Sequence, residues 1–328
     1  MARRCNTPTI LRTIAAASAL LGSAVSAQTY PTKVIKLVVA ATPGTSMDGI
    51  ARLVGPKLAQ RLGQPAVVEN RAGASGTIGT DYVAKSAPDG HTLIVGAQSM
   101  VVVPHMYRAL PYNPMTDFAP ISLVAYGTLL LVTNPKSGLN SVADVIAVAK
   151  ANPTKLTYSS PGIGLPQHLA MELFKEVAGI EVLHVPYKGS AGALTDLIGG
   201  QVSLSLVPLQ VAMPQVKAGK LRALAVPSLS RHPKAPDVPT FQESGVTGVE
   251  TIATLANFFM APKGTPAPIV GRLNSELRAI MELPDVKEKL ETDGLDVATS
   301  TPEELLSILQ RASASAGQII RKNNISID

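Results

Sequence analysis

The feature that most constrains this chain is an apolar run that passes through a short polar turn directly into a helical pattern. The run is Leu37-Val38-Val39, the turn spans Thr42 to Thr45, and apolar residues then recur at helical spacing from Ile50 to Leu58. This order predicts a strand, a tight loop and a helix N-terminus. The first backbone N–H groups of such a helix lack intrahelical acceptors, and the helix dipole adds partial positive charge there. The turn is therefore a candidate anion site.

This turn also has a purely structural interpretation. Thr45 and Asp48 have the spacing of a capping box, in which the hydroxyl and the carboxylate only satisfy the helix end. A second copy of the same device, from Leu156 to His168, favours ligand binding. There a short β-type run again ends in Ser, Pro and Gly, and Pro166 occupies the first position of a new helix. Two such loops, facing each other across a cleft, would together hold a dianion.

Strands alternate with helices along most of the chain. Ala66 to Asn70 and Thr92 to Ala97 have strand patterns on either side of a helix, and a second series begins with a helix from Val142 to Ala151. This order predicts an α/β fold with parallel, doubly wound sheets, which bind ligands at the carboxyl ends of their strands. Ser99 follows the third strand, so it is either a third ligand group at that edge or an ordinary polar turn residue.

The length of the chain and the order of its elements predict two domains. Ile121 to Ala125 and Leu129 to Thr133 have the pattern of consecutive strands that carry the chain into the second domain. A segment rich in Pro, Ser and Gly, from Ser228 to Gly248, leads it back. Residues 128–235 are thus assigned to domain 2. Residues 28–127 and the returning residues 236–328, which end in helices, are assigned to domain 1.

Residues 1–27 have the pattern of a cleavable secretory signal peptide. Arg3, Arg4 and Arg12 form a basic region, an apolar core follows, and Val25-Ser26-Ala27 is a small-residue cleavage site. The apolar core is too short for a membrane-spanning helix. A protein exported to the bacterial periplasm is therefore expected.

The composition of the exported chain excludes several classes of function. Removal of residues 1–27 leaves 26 basic against 23 acidic residues, which is too weak an excess for nucleic-acid binding. Aromatic residues make up 4% of the chain and Trp is absent, so stacking platforms for bases are scarce. The only cysteine, Cys5, leaves with the signal, and the exported chain has no disulfide, thiol nucleophile or thiolate metal site.

Catalytic and metal-binding patterns are not found in the sequence. The five histidines have no metal-ligand spacing, and neither a P-loop nor a Gly-x-Ser-x-Gly motif occurs. Ser160 and His168 are the one pair with the residue types of a nucleophile and its base. Because they lie eight residues apart across a helix start, the favoured interpretation is a loop hydroxyl and a helix residue. Neither a cofactor nor a metal is expected, and the protein is not expected to be an enzyme.

Several longer motifs occur in a distinctive order. They are Pro43-Gly44 with Asp48, Val68-Glu69-Asn70-Arg71, Ala87-Pro88-Asp89-Gly90, His168-Leu169, His184-Val185-Pro186-Tyr187-Lys188-Gly189, and Lys217-Ala218-Gly219-Lys220-Leu221-Arg222. This order resembles the periplasmic solute receptors of the tripartite tricarboxylate transporter family, also called Bug-type receptors. The resemblance covers nearly the whole exported chain.

The resemblance implies a two-domain periplasmic binding protein (Venus flytrap) fold, in which each domain is a doubly wound mixed sheet flanked by helices. A small carboxylate would be held between matching loops of the two domains. Carried over by position, the ligand-binding residues would be Thr42, Pro43, Thr45, Ser46, Met47 and Asp48 in the first loop, Ser159, Ser160, Gly162, Gly164 and Leu165 in the second, and Gly76 and Ser99 beside them.

The chain departs from the family pattern within this site. Thr45, Ser46 and Met47 replace part of a run of glycines, Leu165 stands where a small hydroxyl residue is common, and Val207 stands where many members have an aspartate. Loss of that aspartate argues against a ligand held through an amino group. A mono- or dicarboxylate with a more apolar body is expected, either an aromatic acid or a longer aliphatic diacid.

Three functions remain open. The leading one, implied by the resemblance, is a monomeric receptor that delivers its carboxylate to the membrane permease subunits of a tripartite transporter. The alternative is an extracytoplasmic sensor that presents its closed form to a signalling protein. The third is an enzyme built on Ser160 and His168, which would require turnover of a bound ester or amide.

Overall fold

The computed structural model describes Met1 and residues 30–249 and 254–326, so the predicted signal peptide lies, apart from Met1, outside the described residues. Within these ranges the strands are β1 (Ile35–Val39), β2 (Ala66–Asn70), β3 (Thr92–Ala97), β4 (Phe118–Thr133), β5 (Thr157–Ser160), β6 (Leu183–Pro186), β7 (Leu204–Pro208), β8 (Arg222–Ala225), β9 (Thr254–Pro262) and β10 (Asp296–Val297). The helices are α1 (Ser46–Leu62), α2 (Thr77–Ala84), α3 (Ser99–Val102), α4 (Val142–Ala151), α5 (Pro166–Ala178), α6 (Ser190–Gly199), α7 (Leu209–Lys217), α8 (Ala267–Met281), α9 (Pro284–Thr292) and α10 (Pro302–Lys322).

The strands form two mixed halves that share β4. In the first half β1 lies between β2 and β3 and is parallel to both, while β9 is antiparallel to β3 and β4. In the second half β5 lies between β6 and β7 and is parallel to both, while β4 is antiparallel to β7 and β8. The prediction of an α/β fold with mixed, doubly wound sheets flanked by helices is confirmed. The mixed character arises because β9 is antiparallel to the parallel strands of the first half, and β4 is antiparallel to those of the second half.

Strand β4 joins the two halves. Its first part, as far as Thr128, pairs with β9, and its last part, from Leu129 to Thr133, pairs with β7. The sequence pattern predicted two consecutive strands here, and that prediction is wrong in detail. Tyr126 and Gly127 stay paired with β9, so the strand is continuous and the chain passes between the halves without leaving the sheet.

Buried apolar side chains cover both faces of the sheet. One cluster packs α1 and α8 against β1 and β3 in the first half. A larger cluster is continuous across both halves, from Ile94 in β3 through Leu129 in β4 to Leu169 in α5. Helix α10 contributes Leu305 and Leu309 to this cluster and contacts α3, β4 and α5, so it covers both halves. None of the helices in the described ranges has the length and hydropathy needed to cross a membrane.

Candidate functional site

Loop 1 (residues 40–45) joins β1 to α1. Thr45 is the N-cap of α1, because its hydroxyl accepts a hydrogen bond from the Asp48 amide (3.4 Å) and its carbonyl accepts one from the Gly49 amide (2.9 Å). Gly44 has a φ of +88°, in the left-handed region that glycine adopts without strain. The helix begins at Ser46, directly after the turn and ahead of the apolar pattern that starts at Ile50. The predicted strand, tight loop and helix start are therefore present.

The carboxylate of Asp48 holds loop 1 in shape. It accepts hydrogen bonds from the Gly44 amide (3.0 Å), from the Arg52 guanidinium (3.1 Å) and from the Asn70 side-chain amide (3.0 Å). Asp48 is only 4% exposed. The hydrogen bond from Arg52 is the largest of the effects that lower the pKa of this carboxyl to about 2, and the Gly44 and Asn70 bonds act in the same direction. Asp48 therefore supports the loop from inside.

The polar groups that loop 1 presents outward are hydroxyls. Thr42, Pro43 and Ser46 are exposed. The Ser46 hydroxyl donates to Oδ1 of Asn257 (3.1 Å), a buried residue of β9, and the Thr45 hydroxyl donates to the Thr42 carbonyl (3.3 Å). The candidate site thus extends from loop 1 to the strand at the centre of the sheet.

A small cavity of about 30 Å³ lies beside loop 1 and is lined by three predicted site residues, Met47, Gly76 and Ser99. Helix α2 starts beside this cavity and lies directly against the loop. A Cβ placed on Gly79 would lie 2.7 Å from the Arg71 carbonyl oxygen and 2.8 Å from the Cα of Ala40. Only glycine allows this approach of helix and loop backbones.

Loop 2 (residues 161–165) joins β5 to α5. Pro166 is the first residue of α5, as its fixed φ favours, and Leu165 is an N-cap without a side-chain hydrogen bond. Gly164 has a φ of +75°. Ile163 and Leu165 expose 54% and 40% of their surfaces, so this loop presents apolar side chains to solvent. The second strand, turn and helix start are also where the pattern predicted them.

Ser160 and His168 are not hydrogen-bonded to each other. The Ser160 hydroxyl lies 2.7 Å from Nε2 of His184 and 3.1 Å from the Gly162 carbonyl, while Nδ1 of His168 accepts a hydrogen bond from the Gly164 amide (2.9 Å). The pairing of Ser160 with His168 as nucleophile and base, which was the less favoured interpretation of the sequence, is not formed in this structure. His168 instead bonds to loop 2, and His184 bonds to the last residue of β5.

Ser159 and Val207 lie at the carboxyl ends of β5 and β7. The Ser159 hydroxyl is buried and has no hydrogen-bond partner. Val207 lines a cavity of about 170 Å³, which has a largely apolar wall and three polar side chains, those of Gln167, Ser190 and Ser205. This cavity is the second-half counterpart of the small cavity beside loop 1.

Loop 2 contacts the first half of the molecule. Gly164 lies so close to Met106, in the turn that follows α3, that a Cβ on Gly164 would overlap the Sδ and the Cε of the methionine. Because α3 begins at Ser99, directly after β3, loop 2 reaches the carboxyl edge of the first sheet. Loop 1 follows β1, which is parallel to β3, so loop 1 also lies at this edge of the first sheet.

Cationic side chains do not belong to either loop. Arg71 pairs with Glu69 (2.5 Å) and lies 3.5 Å above the ring of Tyr82, and Arg52 pairs with Asp48. Ligand contacts from the loops would come from hydroxyls and backbone N–H groups. Within residues 30–249 and 254–326, no group of three His, Cys, Asp or Glu side chains could hold a metal ion.

Several residues at the cleft were not predicted from the sequence. Asn257, Met106 and Gln167 come from distant parts of the chain, and only Asn257 carried a signal, as a polar residue inside the apolar run of β9. His184 lies in a quoted motif, but its partner became evident only from the pairing of β5 with β6, which sets it beside Tyr158.

Three comparisons place the chain among known proteins. The family model described as "Tripartite tricarboxylate transporter family receptor" matches residues 50–325. Protein BugT of Bordetella pertussis is 38% identical over 88% of this chain and 88% of its own length. The structure of periplasmic binding protein BugD is 33% identical, covers 90% of this chain and 99% of that one, and has a TM-score of 0.69. The structure of R. palustris Rpa4515 with adipate is 35% identical, with coverages of 90% and 99% and a TM-score of 0.73.

Proposed function

Because the chain belongs to the tripartite tricarboxylate transporter receptor family, as its motifs predict, we propose that it is a periplasmic solute receptor for a small carboxylate. The carboxylate binds between loop 1 and loop 2 and is delivered to a tripartite membrane transporter. Residues 1–27 direct export, and residues 128–235 form the domain that closes over the ligand.

The observation that carries this proposal is the contact of Gly164 with Met106. It brings a helix start of the second half to the carboxyl edge of the first sheet, where loop 1 and the start of α1 also lie. Two helix N-termini and their free backbone N–H groups then border the same space. A carboxylate there would receive neutral hydrogen bonds and the favourable ends of two helix dipoles.

The donors are hydroxyls and backbone N–H groups, with no ammonium or guanidinium. On the first side they are the Ser46 and Thr42 hydroxyls. On the second side they are the Ile163 and Leu165 amides and the buried Ser160 hydroxyl, which would exchange the Gly162 carbonyl for the ligand, because the Gly162 and Gly164 amides already bond to Ser160 and His168. Hydrogen bonds to a charged group contribute about 1.5–3 kcal/mol each, so a few such donors suffice for micromolar binding. A diacid would place one carboxylate at each loop.

The body of the ligand is apolar. Ile163 and Leu165 expose apolar surface at loop 2, Met47 lies at loop 1, and Val207 lines the wall of the second-half cavity. The side chains that line that cavity carry no charge, so a ligand ammonium group would find no counter-ion there. A diacid or aromatic acid without an amino group fits this lining, and the adipate in Rpa4515 is an acid of that kind.

A thermal-shift panel tests the proposal. The protein from residue 28 onward is heated with succinate, adipate, malate, benzoate, phenylacetate, citrate or aspartate. An acid present at 100 times its dissociation constant stabilises the folded state by about 2.7 kcal/mol, which is a clear shift. We expect the largest shift from adipate or an aromatic acid. A shift with aspartate alone would contradict the proposed ligand class, and no shift with any acid would contradict carboxylate binding.

Matched serine variants locate the site. Ser46→Ala removes a hydroxyl directly after loop 1, and Ser160→Ala removes one directly before loop 2, whereas Ser275→Ala removes an exposed hydroxyl of α8 that donates to the Gly271 carbonyl. We expect the first two to weaken binding of the best acid about fivefold or more, and the third to leave it unchanged. If the protein co-purifies with a sensor domain and not with permease subunits, its function is signalling and not delivery to a transporter.

A further inference from the structure

Three stacked rings lie beneath loop 2. The ring of His184 in β6 lies between Tyr158 of β5, at a centroid distance of 4.7 Å, and His168 of α5, at 4.1 Å. The planes of adjacent rings differ by 15° and 12°. His168 is 5% exposed and Tyr158 is fully buried, so the stack is part of the protein interior.

Both imidazoles of the stack are hydrogen-bonded to the region of loop 2. The Gly164 amide donates to Nδ1 of His168 at 2.9 Å, and the Ser160 hydroxyl lies 2.7 Å from Nε2 of His184. A ring nitrogen accepts a hydrogen bond only when it carries no proton. The backbone N–H of Gly164 therefore requires His168 to be neutral, with its proton on Nε2.

Loop 2 depends on side chains for its backbone hydrogen bonds. The Gly162 amide donates to the Ser160 hydroxyl (3.4 Å), and the Gly164 amide donates to His168. The Gly164 amide has no backbone acceptor of the kind that a strand or helix would supply. Gly164 is also the residue whose backbone lies against Met106 of the first half. The imidazole thus fixes the point at which loop 2 meets the other side of the cleft.

Burial keeps His168 neutral, although the Glu172 carboxylate acts in the opposite direction and raises its pKa. Glu172 and Lys175, on its own helix, pair with each other at 2.9 Å, and the Tyr158 hydroxyl donates to Glu172 at 2.5 Å. Farther off, His105 precedes Met106 and bonds to Ser313 of α10, and Lys322 of α10 pairs with Glu176. Burial, followed by the charge of a protonated His184, lowers the pKa of His168 to about 4.

We propose that His168 is a positioning residue for the carboxylate site: its neutral Nδ1 holds the Gly164 amide and so sets the approach of loop 2 to Met106. Protonation of the ring removes the acceptor, frees the loop and weakens ligand binding. The proposal rests on the proposed function and adds acid sensitivity to it. The stack supports the same outcome, because two positive rings 4.1 Å apart would repel each other.

The ligand-free protein gives the first test. Amide hydrogen exchange of Gly164 is compared at neutral pH in the wild type, in His168→Asn, whose side-chain oxygen offers an acceptor near the Nδ1 position, and in His168→Leu, which offers none. We expect the protection of Gly164 to fall about tenfold or more in His168→Leu and to change less than about threefold in His168→Asn. Equal protection in all three proteins would overturn the proposal.

A long-range proton–nitrogen spectrum supplies a signature that a merely structural role would not produce. We expect His168 at neutral pH to show an unprotonated Nδ1 and a protonated Nε2. The opposite tautomer would overturn the proposal, because it cannot accept the Gly164 hydrogen bond.

Ligand affinity gives the third test, with the acid of the panel that binds most tightly. At neutral pH His168→Leu should lose about fivefold in affinity and His168→Asn less than about twofold. Between pH of about 5 and 3.5, the affinity of the wild type for the acid should fall about fourfold relative to that of His168→Asn. The ratio of the two dissociation constants is used because ionisation of the ligand affects both proteins equally. A constant ratio would overturn the acid sensitivity. If no acid binds the wild type, the proposed function fails, and the exchange of Gly164 still decides the role of His168.

Discussion

Loop 1 and loop 2 follow the same plan of strand, turn and helix start, but groups of opposite character hold them in place. Loop 1 is held by the ionised carboxylate of Asp48, which bonds to Gly44, Arg52 and Asn70. Loop 2 is held at Gly164 by an imidazole that must be neutral. Similar backbone geometry therefore does not require similar side-chain support.

The two loops also differ in what lies against them. Loop 1 packs against the backbone of α2, with no space at Gly79 for a single methyl group. Loop 2 lies against the end of the Met106 side chain, which has rotatable bonds and adapts to a new neighbour. Loop 1 is therefore the rigid side of the site and loop 2 the adjustable one.

The largest effect is expected where loop 1 meets backbone. Gly79→Ala should lower the free energy of unfolding by about 3 kcal/mol, because the new Cβ would force apart α2 and Ala40. Gly49→Ala in α1 is the matched control, since nothing lies within 4 Å of the added atom and alanine favours a helix. Urea unfolding measures the stability of each variant. Equal stabilities of the two variants would contradict the rigid packing of loop 1.

Acid should weaken the two loops in different pH windows. Below the ordinary histidine pKa of 6.5, the imidazole of His168 binds a proton in the unfolded chain. In the folded protein the same ring stays neutral until the pH falls to about 4. Stability should therefore fall by about 2–3 kcal/mol across that window. Asp48 follows, with stability lost between its ordinary pKa of 3.8 and about 2. Unfolding curves at each pH check this order. His168→Asn should flatten only the first window, and an unchanged profile would contradict the account.

Removal of the charge that holds loop 1 should have a somewhat smaller effect. Asp48→Asn replaces one of the two acceptor oxygens by an NH2 donor and removes the charge that pairs with Arg52, so it should cost about 2 kcal/mol of stability. Asp293→Asn, which removes an exposed i,i+4 pair with Lys289, should cost less than about 0.5 kcal/mol. Thermal unfolding of both variants is the measurement, and equal losses would show that Asp48 holds nothing in place.

A substitution in loop 2 should change the affinity for the ligand more than it changes the stability of the fold. Gly164→Ala and Gly179→Ala both place alanine at positive φ, at the two ends of α5, and each should lose about 1–2 kcal/mol of stability. Only Gly164→Ala displaces Met106, so it alone should weaken binding of the best acid, by about tenfold. Calorimetric titration compares them. A similar affinity for the two variants would argue against loop 2 as the adjustable side.

The smallest effect is expected from salt. Because both loops lack Lys and Arg, their ligand contacts are hydrogen bonds from neutral donors. The dissociation constant should change less than about twofold between about 50 and 500 mM NaCl. A steep loss of affinity in the same titration would show that a cation such as Arg71 or Lys188 reaches the ligand.

Local patterns predicted most elements because their ends carry strong signals. Helix α8 begins after Pro266 and α5 begins at Pro166, as a proline at a helix start favours. The short elements were missed: β10 has two residues and α3 has four, too few for any periodicity. The continuous β4 was predicted as two strands, Ile121 to Ala125 and Leu129 to Thr133, because the strand that pairs with the residues between them, β9, comes from far along the chain.

The backbone course of the candidate site could be predicted from the sequence, but its side-chain hydrogen bonds could not. The two turns could be placed from the sequence because a Pro/Gly/hydroxyl turn before a helix is a local pattern. The bond of Ser46 to Asn257 and the bond of Asp48 to Asn70 could not be predicted, because these residues are brought together only by the pairing of strands in the sheet. The bond of Ser160 with His184 was not predicted for the same reason: strand register, not sequence spacing, determines which side chains meet.

An electron-density map of the protein crystallised with adipate, or with the acid that gives the largest thermal shift, tests the central claim most directly. The account predicts one acid per chain, with a carboxylate between loop 1 and loop 2 and within hydrogen-bond distance of the Ser46 or Ser160 hydroxyl and of loop amides. An acid bound elsewhere on the chain, or held by lysine or arginine side chains with both loops empty, would contradict it.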